Sequence, residues 1–214
     1  MRIEVATAIE LEVSSVRLTV VHVGDDEHIV VLNVHHIATD GWSTSVLTDA
    51  VTTAYNALVR GEELPAQAES LVGYADYAEW QHEVLSDNAF VAPHVQYWRE
   101  ALGGDLPVLE LQPDCARPAV LTSNGGSVPL YVDAETASAL TALSVDCGAT
   151  AMRGALAMWA VLLGKHSGQD EVIVGIPYAN RDHPAIHDVI GYFVNTLAVR
   201  VSVGGAGLSF RDVV

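Results

Sequence analysis

Two adjacent histidines, His35 and His36, followed by Asp40 and Gly41, form the segment of this sequence best equipped for chemistry. They follow an apolar, β-branched run and precede a helical pattern, where a side chain can reach a cavity while the backbone stays anchored. A neutral imidazole can act as a general base near pH 7. A histidine in a strand is also commonly an ordinary core residue, and Asp-Gly before a helix is ordinary turn chemistry. The segment alone leaves both interpretations open.

Strand geometry separates the two histidines if the strand at 28–36 continues through both. Side chains then alternate between faces, so His36 shares the more apolar face and His35 shares the other with Asn33. Burial on the apolar face disfavours the charged imidazolium and keeps His36 neutral. The two rings cannot bind one metal ion from opposite faces. We therefore interpret His36 as the candidate base and His35 as a packing residue, and we predict no metal site.

The first half of the sequence predicts a hairpin followed by helices. Residues 16–23 and 28–36 are β-branched runs joined by a short acidic turn. Apolar spacing then predicts a helix over about 42–60, which Gly61 ends. A second helix is predicted over about 71–85, with core aromatic residues at Tyr74, Tyr77 and Trp80, and a third from near Pro93 to the pair Gly103 and Gly104.

The second half begins with a segment rich in Pro, Gly and Asp, residues 106–126, which predicts a linker between two lobes. A strand is predicted at 127–132, a helix capped by Asp133 and another capped by Thr150. Strands at 171–177 and 191–203 flank a polar loop. The order of helices and strands predicts the α/β class, with two lobes that are each an α+β two-layer sandwich. Residues 1–105 would belong to the first lobe and 127–214 to the second.

Composition excludes several classes of protein. The chain has 214 residues, half of them hydrophobic, which predicts a sizeable core. The net charge of −17, without a basic cluster, argues against nucleic acid as a partner. The sequence contains no run of eighteen consecutive apolar residues, so it predicts no membrane-spanning helix. Two cysteines, Cys115 and Cys147, are too few for a disulfide framework or a four-ligand zinc site, so a cytoplasmic location is expected.

The histidine segment and four others resemble one protein family. NVHHIATDGWS at 33–43 is similar to the HHxxxDG motif of condensation domains from nonribosomal peptide synthetases, including the Trp-Ser that often follows it. Four further family segments recur in the same order: YADYAEWQ (74–81), YWREALGG (97–104), SGQDEVIVGIPYANR (167–181) and IGYFVNTLAVR (190–200). Five matches in order make coincidence a poor explanation.

The resemblance implies a fold like chloramphenicol acetyltransferase: two similar lobes in a V, with HHxxxDG in a tunnel between two carrier docking sites. This chain would be the end of the first lobe and the start of the second, because the family's earliest and latest motifs are absent. The implied reaction joins a donor acyl or peptidyl thioester to an acceptor aminoacyl thioester. Both substrates would be carried on phosphopantetheine of partner carrier domains, beside an adenylation domain, with no cofactor bound directly. We expect the isolated chain to be marginally stable and inactive.

The resemblance also implies residue roles. His36 matches the catalytic histidine, which deprotonates or holds the acceptor amine, and Asp40 matches a carboxylate that pairs with an arginine, here Arg181. Gly41 would bring a backbone N–H close to the oxyanion. Trp42, Ser43 and Asn195 would lie on the substrate side of the tunnel, and His35 would support the site. His183 and His187, in a polar loop, are expected to be solvated.

Three alternatives stay open. Epimerisation domains share HHxxxDG but typically follow it with a different sequence from Trp42, Ser43 and Thr44. A free acyltransferase of the same superfamily would lack the extended match at 74–81 and 190–200. The third alternative is a catalytically silent, truncated carrier-binding module. Transfer from free acyl donors would identify the second, and an open reading frame continuing into carrier and adenylation domains would argue against the third.

Overall fold

The computed structural model describes residues 7–64, 72–120, 122 and 125–214. Strands β1 (Val16–Gly24) and β2 (Glu27–Val34) form an antiparallel hairpin whose register runs from Val16 opposite Val34 to His22 opposite His28. The predicted hairpin is confirmed. The second strand ends two residues earlier than predicted, at Val34, so both histidines of the candidate site lie beyond it.

Helix α1 (Gly41–Arg60) follows the histidine segment directly. The Asp40 carboxylate caps its first turn by accepting from the Ser43 N–H, and Gly61 ends it in the left-handed region at φ 69°. A side-chain acceptor at the first cap and a glycine after the last turn satisfy backbone groups that the helix cannot pair itself. The predicted helix and its terminating glycine are confirmed.

Helices α2 (Tyr74–Ser86) and α3 (Asn88–Ala101) follow. The predicted start of α2 at Leu71 lies outside the described residues. α3 begins five residues before the predicted Pro93, which is inside the helix, because Asp87 accepts from the Ala89 N–H and starts the helix there. The interpretation of all three α2 aromatics as core is confirmed for the buried Tyr77, but it is wrong for Trp80 and Tyr74, which are 56% and 36% exposed.

The second half of the chain contains α4 (Ala134–Asp146), α5 (Ala151–Ser167), β3 (Glu171–Tyr178), a 3-10 turn (Pro184–Ile186), β4 (Asn195–Ser202) and the short α6 (Phe210–Val213). β3 pairs with β4. Asp133 and Thr150 cap α4 and α5 as predicted. Helix α4 approaches α5 closely at Gly154, where an added Cβ would lie 1.8 Å from Ser144 Oγ.

The strand predicted at 127–132 is absent. These residues are described without regular structure, and Val128 is 93% exposed. An alternating pattern forms a strand only where another strand pairs with it, and no such partner lies beside this segment among the described residues. The final strand is also shorter than predicted, because Gly191 to Val194 precede β4 as irregular backbone.

Helices and strands mix within the chain, which confirms the predicted α/β class. The chain divides into two compact units: one ends at His94 and includes Pro177–Thr196, and the other holds Val95–Ile176 and Leu197–Val214. These units differ from the predicted lobes, because the segment at 177–196 packs with the first half of the chain. The lobe boundary at 106–126 stays a prediction.

The core of the first unit is a cluster formed by Tyr77, Ile186, Val189 and Phe193, with Val72 packed against it. Three of its members come from the segment at 177–196, which explains why that segment belongs to the first unit. No single helix in the described ranges is long and apolar enough to span a membrane. α4 and α5 pass that test only as a pair, across a bend of 102°.

Candidate active site

His35 and His36 lie in the turn between β2 and α1. The backbone N–H of His35 donates to Ser15 O over 2.8 Å, and its Nδ1 accepts from the Ile37 N–H over 3.1 Å. His35 is therefore bound to its own turn, in agreement with a supporting role. The alternation of faces does not apply here, since the strand has ended. His36 is exposed and not buried on an apolar face.

The ring of His36 meets Tyr192 edge to face, with centroids 5.2 Å apart. Within the described part of the chain, no hydrogen bond engages either imidazole nitrogen of His36. An exposed imidazole with both nitrogens available can accept or donate a proton to a group that approaches it. Tyr192 is held in turn, because its backbone carbonyl accepts from the Tyr74 hydroxyl over 2.8 Å.

Asp40, four residues after His36, is buried and fully engaged. Its Oδ1 accepts from the Ser43 N–H at 2.8 Å, and its Oδ2 accepts from the Phe193 N–H at 3.0 Å. Arg181 Nη2 lies 3.2 Å from Oδ1. The Arg181 and Asp40 side chains are 0% and 2% exposed. Neither charged group can therefore touch a substrate in this arrangement.

Arg181 binds several parts of one unit together. Its Nη1 donates to the carbonyls of Ile186 and Val189, at 2.5 and 2.8 Å. Its Nη2 donates to Ser43 Oγ at 2.6 Å as well as to Asp40. The Phe193 ring lies 4.0 Å from Cζ, a distance at which the π face attracts the cation. We call Asp40, Ser43 and Arg181 the clamp.

The pKa of the Asp40 carboxyl reflects this environment. Burial disfavours the carboxylate and by itself would raise the pKa. The backbone N–H groups of Ser43 and Phe193, the Ser43 side chain and the Arg181 charge favour the carboxylate, and together they lower the pKa below its ordinary value. Asp40 is therefore ionised near neutral pH, and it is not a proton donor there.

Ser43 does not lie on a substrate side. It is fully buried, and its hydroxyl donates to Gly191 O at 2.9 Å while accepting from Arg181 and from the Gly191 N–H. The expectation of a tunnel-facing Ser43 is corrected: the helical turn after Asp40 directs it toward the clamp. Trp42 is partly exposed, and its indole N–H donates to His187 O over 2.8 Å.

The remaining predicted residues are less closely tied to the clamp. Gly41 is exposed, and apart from its chain neighbours and the backbone of its own helix no described atom lies within 4 Å of where a Cβ would stand, so the space beside it is open. The Asn195 Oδ1 accepts from the adjacent Thr196 N–H at 2.8 Å, which is local strand bonding. His183 is exposed as expected. His187 is less exposed than expected: it is half-buried against Trp42, and its Nε2 lies 2.9 Å from Arg181 O.

Sequence reasoning missed Tyr192 and Phe193. Tyr192 contacts the His36 ring, and the next residue, Phe193, bonds Asp40 through its N–H. Both lie in the GYFVNT segment that the resemblance identified. The sequence therefore marked this segment, but it did not show that these two residues contact His36 and Asp40. The same two residues connect the clamp to His36. No group of three or more metal-ligating side chains is close enough to hold an ion among the described residues.

Comparisons with known proteins agree with the geometry. The family model described as condensation domain matches residues 6–214. The chain is 38% identical over 190 residues to malpinin synthetase of Mortierella alpina, a match that covers 89% of the chain and 2% of that synthetase. It is 37% identical over 201 residues to the phosphinothricin tripeptide synthetase PhsC of Streptomyces viridochromogenes, over 92% of the chain and 18% of that synthetase. The chain thus spans a small part of the length of its relatives.

Solved structures share the fold. The X-domain from teicoplanin biosynthesis superposes with a TM-score of 0.82 at 26% identity, over 93% of this chain and 45% of that one. The first condensation domain of the calcium-dependent antibiotic synthetase, in complex with a substrate analogue, gives a TM-score of 0.69 at 25% identity, over 92% of this chain and 42% of that one. With the family model matching nearly every residue, the chain belongs to the condensation domain family.

Proposed function

We propose that this chain carries the catalytic histidine of an amide-forming condensation in nonribosomal peptide synthesis. The observation that supports this most directly is an exposed His36, whose ring nitrogens bond no described residue, four residues from a buried carboxylate that is fixed by Arg181. In this arrangement the buried pair of Asp40 and Arg181 positions the turn, and the accessible His36 carries out the proton transfer. The family membership and the synthetase relatives agree with this assignment.

The reaction needs little beyond positioning and proton handling. The acceptor amine nitrogen attacks the donor thioester carbonyl, the C–N bond forms, and the C–S bond breaks as the thiol leaves. His36 takes the proton that the acceptor ammonium must lose, or holds the amine for attack, and the thiol sulfur gains a proton. Holding both substrates in the right geometry makes the bimolecular reaction effectively unimolecular, which removes much of its activation free energy.

Gly41 is the proposed source of oxyanion stabilisation. It is the first residue of α1, where backbone N–H groups have no partner within the helix and point away from it. The space beside its Cα is open among the described residues, so a carbonyl oxygen could approach. Through Asp40, the clamp bonds the Ser43 N–H in the first turn of α1 and the Phe193 N–H beside Tyr192. It would act through the positions of these segments rather than on the substrates.

The proposed partners are a donor and an acceptor carrier domain, each presenting its substrate on phosphopantetheine, and an adenylation domain of the same synthetase. No cofactor would be bound directly by this chain. The proposed location is the cytoplasm. Trp42 and Asn195 stay candidates for the substrate side, and Ser43 is withdrawn because its hydroxyl is committed to the clamp.

The experiment uses a full-length domain that contains this chain and two carrier proteins loaded with radiolabelled amino acids. We expect His36→Ala to lose dipeptidyl-carrier formation at least about a hundredfold, the range for removing a general base, with unchanged thermal unfolding. His35→Ala is the matched control, and we expect it mainly to lower stability, because its ring bonds the turn. Near-normal turnover of His36→Ala on loaded carriers would refute the proposed role.

The same assay separates the proposal from a catalytically silent carrier-binding module. A silent module would bind loaded carriers but form no dipeptide with the wild-type sequence. Amide formation that depends on His36 excludes that alternative. Transfer from free acyl donors as fast as from loaded carriers would instead indicate a free acyltransferase of the same superfamily.

A further inference from the structure

A cavity of about 460 Å³ lies on the first compact unit, and its lining does not include Tyr192, which contacts His36. One wall comes from α2 and the residue before its cap, and the other from the loop that follows β3. The lining residues are Val72, Asp76, Tyr77, Trp80, Asn180, Asp182, His183, Ala185 and Ile186. The volume falls in the range of small-molecule sites, about 300 to 1,000 Å³. None of these residues belongs to the clamp.

The walls of the cavity are largely aromatic and apolar. Tyr77 and Trp80 lie one helical turn apart with ring centroids 5.7 Å apart, and Trp80 is more than half exposed although it sits on a helix that contributes to the core. Opposite them stands the buried Ile186. A large indole left open beside a concave surface gives an apolar ligand a flat face on which to stack.

The loop wall is held rigidly. Asn180 has a left-handed backbone at φ 55°, which is uncommon for a residue with a side chain. Its Nδ2 donates to the Tyr77 hydroxyl at 2.9 Å, and Gln81 Nε2 donates to the same hydroxyl at 3.0 Å. The bond from Asn180 therefore connects the loop wall to the helix wall, while the bond from Gln81 fixes the Tyr77 hydroxyl within α2. These contacts favour a preformed cavity.

The polar groups at the rim carry negative charge. Asp76 accepts from the Gly73 N–H over 2.7 Å, and Asp182 accepts from the Tyr178 hydroxyl. Each carboxylate keeps further lone pairs for another donor. The described residues that line the cavity include no lysine or arginine. Arg181, the residue between Asn180 and Asp182, is turned into the clamp and paired with Asp40.

We propose that this cavity binds a small organic cation, an ammonium or guanidinium on an apolar stem. The stem would stack on Trp80 between the helix and Ile186, and the head group would donate to the carboxylates of Asp76 and Asp182. Aromatic faces attract cations, and charge-assisted hydrogen bonds to carboxylates are about twice as strong as neutral ones. The proposal is independent of the condensation reaction, because it uses neither His36 nor the clamp.

The test measures binding by titration calorimetry to a full-length protein that contains this chain. The probe is 4-phenylbutylamine, and 4-phenylbutanol is the neutral analogue of similar shape. We expect the amine to bind saturably and more tightly than the alcohol. Asp182→Asn should weaken amine binding about tenfold, the size of one hydrogen bond to a charged group, and leave alcohol binding unchanged.

The matched control is Glu83→Gln, which removes one acidic charge from helix α2 at a position that does not line the cavity. It should bind the amine as the wild type does. If Asp182→Asn fails to fold, raising the salt concentration on the wild type gives a second readout, because salt screens the ammonium but not the alcohol. Equal binding of amine and alcohol, equal effects of the two substitutions, or no saturable amine binding would each overturn the proposal.

Discussion

Removing the carboxylate of Asp40 tests whether the clamp is the main local source of stability around His36. Asp40→Ala leaves the Arg181 guanidinium buried without a counter-charge and leaves the N–H groups of Ser43 and Phe193 without their acceptor. Breaking a buried ion pair on one side costs about 3 to 5 kcal/mol. Because whole domains are stable by only about 5 to 15 kcal/mol, we expect a large fall in the free energy of unfolding.

A double-mutant cycle isolates the interaction between the two side chains. The free energy of unfolding in urea is measured for a full-length domain as wild type, Asp40→Ala, Arg181→Met and the double variant. Once the arginine is gone, removing the aspartate no longer strands a positive charge. We therefore expect the double variant to be more stable than the sum of the single losses by about 2 kcal/mol or more.

Arg60 and Glu62 provide the matched control pair. Their charged atoms are 4.0 Å apart, and their side chains are 66% and 58% exposed. Solvent screens such pairs, so their coupling should not exceed about 1 kcal/mol. A coupling between Asp40 and Arg181 no larger than that of the control pair would refute the reasoning that burial makes the clamp stabilising.

Three further predictions concern the same region. Because the folded-state pKa of Asp40 is lowered, its ionic contribution to stability is fully present above the unfolded-state value of about 3.9 and is lost as the pH falls through the lower folded value. The gap in unfolding free energy between wild type and Asp40→Ala should therefore begin to narrow below about pH 4 and continue to shrink as the pH falls; a gap that stays constant would contradict this. Ser43→Ala removes a buried hydroxyl from the guanidinium and should cost about 1 to 3 kcal/mol in urea unfolding, whereas a loss below about 0.5 kcal/mol would mean that its hydrogen bonds contribute nothing net. Gly191→Ala would place its Cβ 2.2 Å from the Tyr74 ring and should lower the melting temperature by several degrees. Gly41→Ala should not, because beyond its chain neighbours and its own helix backbone nothing described lies within 4 Å of the new Cβ; equal effects of the two would show that the close packing is not rigid.

The hairpin and most helix ends could be predicted from the sequence because local signals set them. β-branched runs around an acidic turn give β1 and β2, and the caps Asp133 and Thr150 begin α4 and α5 where their side chains accept the first free N–H groups. Gly61 ends α1 because a left-handed residue is needed there. These features depend on neighbours within a few residues.

The candidate site was predictable only in part. The resemblance identified His36, Asp40 and Arg181, and the order of the matching segments placed them in one family. The prediction of a buried His36 was wrong, because β2 ends at Val34 and the rule of opposite faces ends with the strand. The spacing of apolar residues does not show where a strand ends when no turn residue interrupts the pattern.

Only the tertiary structure decided the contacts between distant segments. Arg181 reaches Asp40 across 141 positions of sequence, and Ser43 faces Gly191 across 148. The predicted strand at 127–132 failed for the same reason, since a strand depends on a partner elsewhere in the chain. The sequence by itself determined most of the local elements and the family. Packing decided which side chains are buried in the clamp and which, like His36, stay exposed.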